Sequence, residues 1–239
     1  MRTLLVVFAL AACSPPPPTP TTPGPPVPPA PSSALDALEQ RLTSARTFRL
    51  HARLASGGRI ESHFDGALVA GPDRRMRLTM QGALGNKDVD ATFLCDGSRM
   101  GGGARGKPFV MDAAPALREG IAVTLVRMGL LHDVARLSSG LPPDYLDGKS
   151  REHLRVVGLT QRPGPEVRGA PTVELSWALT VDGKDHAADE TLLLDQRTGL
   201  PLKRRVVVHF AEGDMDVGEE YEEMSVDEPE DDATFLLAP

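Results

Sequence analysis

Basic residues run out early in this chain. No lysine or arginine follows Arg205, while Glu212 to Asp232 holds twelve carboxylates within a net charge of −7. A block of one sign disfavours a polyanionic partner at that end and predicts a solvated strand face with an acidic tail. Aromatic residues are scarce at 4%, with Trp177 the single tryptophan. Stacking platforms for single-stranded nucleic acid are therefore poorly supplied, and no nucleic-acid partner is expected. Cysteine is limited to Cys13 and Cys95, which excludes a disulfide framework. The apolar run Leu4–Ala12 has nine residues, too few for a bilayer-spanning helix, which needs roughly 20.

That short run instead fits the apolar core of an export signal, with Arg2 before it and the small residues Ala11 and Ala12 at its end. Leu10-Ala11-Ala12-Cys13 resembles the lipobox of bacterial lipoproteins, in which the cysteine is lipidated and becomes the mature N-terminus. The resemblance implies a diacylglycerol thioether and an acylated, palmitate-type amine at Cys13. Each buried methylene contributes about 0.8 kcal/mol to membrane attachment. The alternative is an ordinary secreted protein cleaved near Ala12. Ser14 follows the cysteine where some inner-membrane lipoproteins carry aspartate, so the expected address is the outer membrane, facing the periplasm. Ser14 to Ser33 then holds eleven prolines in twenty residues. Proline fixes φ and lacks an amide donor, so this segment is expected to be a disordered or polyproline II stalk reaching about 60 Å at about 3.1 Å per residue. The expected organisation is a signal over 1–12, the lipidated cysteine and linker over 13–33, and a folded domain over 34–239.

Within the domain, Ser33 caps a helix over 34–46, with Leu35, Leu38 and Leu42 at helical spacing. From Thr47 the period becomes two. Phe48, Leu50, Ala52 and Leu54 alternate with polar residues; Gly57-Gly58 turns the chain into a strand carrying Ile60, Phe64 and Leu68. The segment 71–74 turns it again into Met76, Leu78 and Met80, and Asp88–Cys95 places Val89, Ala91, Phe93 and Cys95 on one face. A buried, inert thiol is the expectation for Cys95. Residues 114–137 are spaced as one or two helices, with Leu117, Ile121, Leu125, Met128 and Leu131 along one face. After a Pro/Gly-rich loop at 140–148, strands resume, with Val173, Leu175, Trp177, Leu179 and Val181 alternating in one of them. The total is nine or ten antiparallel strands. The fold class is mainly β (α+β): an unclosed antiparallel barrel or curved sheet covering inserted helices.

"LLLDQRTGLPLKRRVVV" and "YEEMSVDEPEDDATFLLAP" are similar to the end of LolA/LolB-like lipoprotein carriers. The shared features are Asp195, the turn Thr198-Gly199-Leu200-Pro201, Tyr221, Asp232, Phe235 and, displaced by one, Pro239. The helix-then-strands opening and Asp96-Gly97 also fit. The resemblance implies an unclosed barrel wrapped around helices, with an apolar cavity for acyl chains. The anchor and proline stalk place the chain nearer the broader group of anchored, LppX/LprG-like lipid-binding lipoproteins.

No chemistry-bearing motif competes with that reading. The six histidines show no helical i,i+4 pair and no zinc-like spacing; no metal or cofactor is expected. There is no Gly-x-Ser-x-Gly elbow, and "GGGARGKP" at 101–108 reads as a flexible hairpin tip. Arg74, Arg75 and Arg77, like Lys203, Arg204 and Arg205, are expected on solvated strand faces. The chain is expected to be no enzyme but a membrane-anchored lipoprotein binding or carrying a lipid, a lipoprotein acyl chain or another hydrophobic ligand. The alternative is an anchored sensor or scaffold binding an envelope protein on the same fold. Candidate ligand-binding residues are Met76, Leu78, Met80, Phe93, Leu125, Met128, Leu131, Leu175, Trp177 and Leu179. The methionines and Trp177 are more often plain core than cavity lining.

Overall fold

A computed structural model describes residues 33–104 and 106–236. The expected signal, Cys13, the proline segment and Pro239 lie outside the described residues. Ser33 accepts from the Asp36 amide at 3.1 Å and caps helix α1 (Ala34–Ser44), which ends two residues earlier than expected. Its apolar stripe, Leu35, Leu38 and Leu42, is buried.

Eleven strands follow, in two runs. The first run is β1 (Phe48–Gly58), β2 (Ser62–Ala70), β3 (Met76–Leu84), β4 (Lys87–Cys95), β5 (Arg99–Ala104) and β6 (Phe109–Asp112). The second is β7 (Leu154–Val167), β8 (Ala170–Val181), β9 (Lys184–Asp195), β10 (Pro201–Val208) and β11 (Met215–Val226). Between the runs stand α2 (Leu117–Arg127), α3 (Leu131–Ser138) and the short α4 (Ser150–His153). A 3₁₀ turn, Asp232–Phe235, follows β11.

All strands share one antiparallel sheet in the order β6-β5-β4-β3-β2-β1-β11-β10-β9-β8-β7. The first run starts at the centre and meanders out to one edge. The second starts at the opposite edge and meanders back until β11 pairs with β1. The chain must therefore cross from one edge to the other, and it does so through α2 and α3. Helix α3 packs on β4 and β5, and α2 on α1 and β7. The inserted helices thus cover the sheet's inner face, and β6 and β7 do not pair to close a barrel. The expected fold class is observed.

Turn chemistry sets the register. Asp182 and Gly183 both have positive φ (50° and 77°) between β8 and β9, as do Arg168 and Gly169 (50° and 79°) between β7 and β8. Both are two-residue turns whose twist suits a hairpin. Asp96 Oδ1 accepts the Ser98 and Arg99 amides, and Asp195 Oδ1 those of Arg197 and Thr198. The resembling turn motifs are therefore closures held by aspartate side chains. Of the expected tip at 101–108, Gly101 to Ala104 belong to β5, where Gly101 and Gly102 pair with Val110 and Phe109 of β6.

The sheet differs from expectation in two places. It holds eleven strands rather than nine or ten, because β7 contains Pro163 and Pro165, a composition that argues against a strand. It survives as the sheet's edge, where a missing amide breaks no second ladder. Ile60, expected within a strand, lies in the bend before β2 and remains partly exposed.

Candidate ligand-binding cavity

The inner face is not evenly filled. Toward β2–β5 it is packed shut. Met76, Leu78, Met80, Phe93, Cys95 and Met100 are each at most 2% exposed. A β-carbon on Gly66 would strike both the Met80 sulfur and the Thr79 carbonyl, so the glycine on β2 makes room for that methionine. Cys95 is buried as expected, and that burial raises its thiol pKa.

Toward β8–β11 a cavity of about 300 Å³ remains between the sheet and α3. Leu131, His132 and Ala135 form its helical wall, and Leu179, Val206 and Val217 part of its floor. Ile60 and Phe210 form a partly exposed apolar lip, over which the Arg59 guanidinium stands 4.7 Å from the Phe210 ring. Among the described lining residues His132 is the one titratable side chain. Burial lowers its pKa, which favours the neutral ring. The lining thus brings together no nucleophile and base.

Of the ten candidate residues, Met128, Leu131 and Leu179 line this cavity. Leu125, Leu175 and Trp177 are buried core on the same side of the fold, and Met76, Leu78, Met80 and Phe93 are core on the packed side.

What holds the helices over this half is polar. Arg204, expected on a solvated face, is 1% exposed. Lys203 and Arg205 do point outward, but Arg204 shares the parity of Val206 and points in. Its guanidinium donates to Glu190 at 2.7 Å and to the Leu125 and Val126 carbonyls at 2.8 and 2.7 Å. Those are among the last carbonyls of α2, which have no partner within the helix. Glu219, also buried within the acidic strand expected to be solvated, accepts the Leu130 amide at 2.7 Å and the Tyr221 hydroxyl. The sheet therefore grips both sides of the α2–α3 turn. Gly129 makes the turn at φ 82°, and any side chain there would collide with the Glu219 carboxylate. Trp177 lies beneath, its ring 5.8 Å from the Arg204 guanidinium.

One guanidinium serves two buried carboxylates. Burial, with Glu219 nearby, pushes the Glu190 pKa up to about 8 despite Arg204. Burial opposes charge on Arg204 too, but Tyr221, Glu190 and Glu219 hold its pKa above the ordinary value. A second buried pair, Arg127 with Glu39, ties α2 to α1, and Arg127 also donates to the Leu154 carbonyl at 2.6 Å. Strand parity was the signal for the two strand carboxylates: Glu190 shares the parity of Leu192 and Leu194, and Glu219 that of Val217 and Tyr221.

Along the chain the histidines form no cluster, but the sheet assembles two groups: His51 with Asp65 and Glu222, and His186 with Asp189 and His209. The first is made across strands; in the second, His186 and Asp189 lie three apart on β9 and His209 joins them from the end of β10.

Among the described residues, no helix is long and apolar enough to cross a membrane. No protein-family model and no curated protein matches the chain. Among solved structures it is similar to lipoprotein LppX of Mycobacterium tuberculosis, with 12% identity, a TM-score of 0.44, and coverage of 83% of this chain and 97% of that one. It is also similar to MucB in complex with MucA(peri), with 16% identity, a TM-score of 0.41, and coverage of 87% of this chain and 60% of that one. A third similar structure is a LolA superfamily protein from Nitrosomonas europaea, with 10% identity, a TM-score of 0.38, and coverage of 87% of this chain and 97% of that one.

Proposed function

We propose that this chain is a non-enzymatic lipoprotein, lipidated at Cys13 and anchored to the outer membrane facing the periplasm, that binds a lipid acyl chain or similar hydrophobic ligand. The observation that carries the reading is the apolar cavity of about 300 Å³ under α3. That volume stands at the lower end of the roughly 300–1,000 Å³ that small-molecule sites occupy. An acyl chain would enter past Ile60 and Phe210 and lie against Leu131, Leu179 and Val206. An anionic head group would remain at the lip, within reach of Arg59. Admission of a longer chain needs α3 to lift, with the α2–α3 turn held at Arg204 and Glu219 as its pivot.

Native mass spectrometry of the full chain purified from bacterial membranes tests this. The reading expects a co-purified lipid-sized mass; its consistent absence across preparations sinks the carrier.

A second reading, an anchored scaffold for an envelope protein, draws on the packed half. With Met76, Met80, Phe93 and Met100 filling the inner face toward β2–β5, that part has no room for ligand. A chain that never carries lipid but retains a stable envelope protein partner would favour it.

A further inference from the structure

His186, Asp189 and His209 lie outside the cavity and take no part in its lining. A bulge builds the group. Between the register pairs Leu179–Ala188 and Val181–Lys184, β8 carries only Thr180, whereas β9 carries Asp185, His186 and Ala187. Such a bulge re-aims a side chain, and His186 sits within it at φ 53°. Its Nε2 lies 2.8 Å from Asp189 Oδ1. His209 directly follows β10, and its amide donates to the Ala187 carbonyl at 3.0 Å. Its Nε2 lies 3.1 Å from Asp189 Oδ2, and its Nδ1 3.0 Å from Asp214 Oδ1.

This arrangement needs a positive charge at its centre. A carboxylate only accepts, so Asp214 fixes a proton on Nδ1 of His209. In the neutral ring Nε2 then presents a lone pair to Asp189, which also offers only lone pairs. Either a second proton or a cation must lie between them. Among the described residues no lysine or arginine pairs with Asp189 or Asp214. The other group differs on this point, because Arg53 contacts Glu222 beside His51. Two imidazole nitrogens and one carboxylate suit late first-row divalent ions, and a carboxylate on the far nitrogen of a ligating histidine is the usual support. One ligand atom from each of His186, Asp189 and His209 lies within 4.8 Å of the other two, so small side-chain rotations bring all three to about 2.0–2.2 Å from one shared ion.

We propose that His186, Asp189 and His209 form a binding site for a zinc-class divalent ion, with Asp214 orienting His209. The site is open to solvent, so its remaining positions go to water or an external ligand. A bound ion would tie together β9, the end of β10 and the loop before β11. Ala187, Val208, Phe210 and Met215 of that same corner line the cavity, so the ion would stiffen its mouth.

The test is a Co²⁺ titration of untagged, metal-free full chain, followed by the visible absorption of the bound ion. One Co²⁺ per chain, displaced by Zn²⁺, is expected. Asp189→Asn, which is isosteric, and His209→Ala should each weaken binding at least tenfold, while His51→Ala leaves it unchanged. Asp214→Asn should cost about 10–100-fold, and Asp214→Glu should recover most of it, which a merely structural role would not do. Absence of a Co²⁺ band up to millimolar metal overturns the site. So does binding that survives both Asp189→Asn and His209→Ala, or that disappears in His51→Ala. The group would then be an imidazolium held between two carboxylates.

Discussion

The two halves of the inner face solve the same covering problem in different ways. Toward β2–β5 it is filled by large apolar side chains, with methionines taking up the irregular gaps. Toward β8–β11 the α2–α3 turn is tied to the sheet by buried hydrogen-bonded polar groups. Arg204 and Glu219 bind the α2–α3 turn through its backbone. Side-chain filling leaves no room, whereas a few directional bonds fix a helix in place and leave the neighbouring volume empty. The cavity lies beside that tether.

The comparison can be broken first at Arg204. Arg204→Met would leave Glu190 and two helix carbonyls buried without their donor, and would take the neighbouring positive charge from Glu219. Removing one partner of a buried pair costs about 3–5 kcal/mol, so urea denaturation should show a loss of that size. A loss under about 1 kcal/mol would mean the helices are held by apolar packing alone. On the filled side, Met80→Ala should cost about 2–5 kcal/mol through the cavity it creates, while the lipid mass in native spectra stays unchanged. Loss of lipid in that variant would blur the distinction between the halves.

Titration sharpens the same contrast. Glu190 has a folded pKa of about 8, raised by burial, against roughly 4.3 in an unfolded chain. The folded state therefore binds more protons than the unfolded state between those values, and stability falls as pH rises from about 5 to 8. Asp133, raised to about 7 by burial, acts in the same direction. Glu190→Gln mimics the protonated acid, so it should be nearly neutral at pH 6 and flatten the decline toward pH 8. A steeper decline in that variant would show that Glu190 is charged when buried. The smallest effect belongs to the outward neighbour of Arg204: Lys203→Ala, losing one exposed pair with Glu220, should stay within about 0.5 kcal/mol.

Much of the fold was legible because alternation and turn residues act locally. Met76, Leu78 and Met80 declare an inner face, and Asp96-Gly97 and Asp195 to Gly199 declare their turns. β7 was obscured because its prolines are tolerated only at an edge, and strand order is a property of the whole sheet. The cavity was legible in part. Met128, Leu131 and Leu179 could be named, but Ile60 and Phe210 depend on where loops end. Arg204 was hidden by its neighbours, since a run of three basic residues suggests solvent until its parity against Val206 is counted. His186, Asp189 and His209 meet through a bulge and a strand pairing, neither of which leaves a mark in chain spacing.

The most direct test of the central claim, that the apolar space under α3 takes the ligand, is binding of a fluorescent fatty-acid analogue to the full chain. Ala135, on the helical wall of the cavity, is the point to fill. The account predicts that the full chain binds the analogue, that Ala135→Phe weakens binding at least tenfold, and that Met80→Ala leaves it intact. Equal binding by the chain and by Ala135→Phe, or no binding by either, would contradict it.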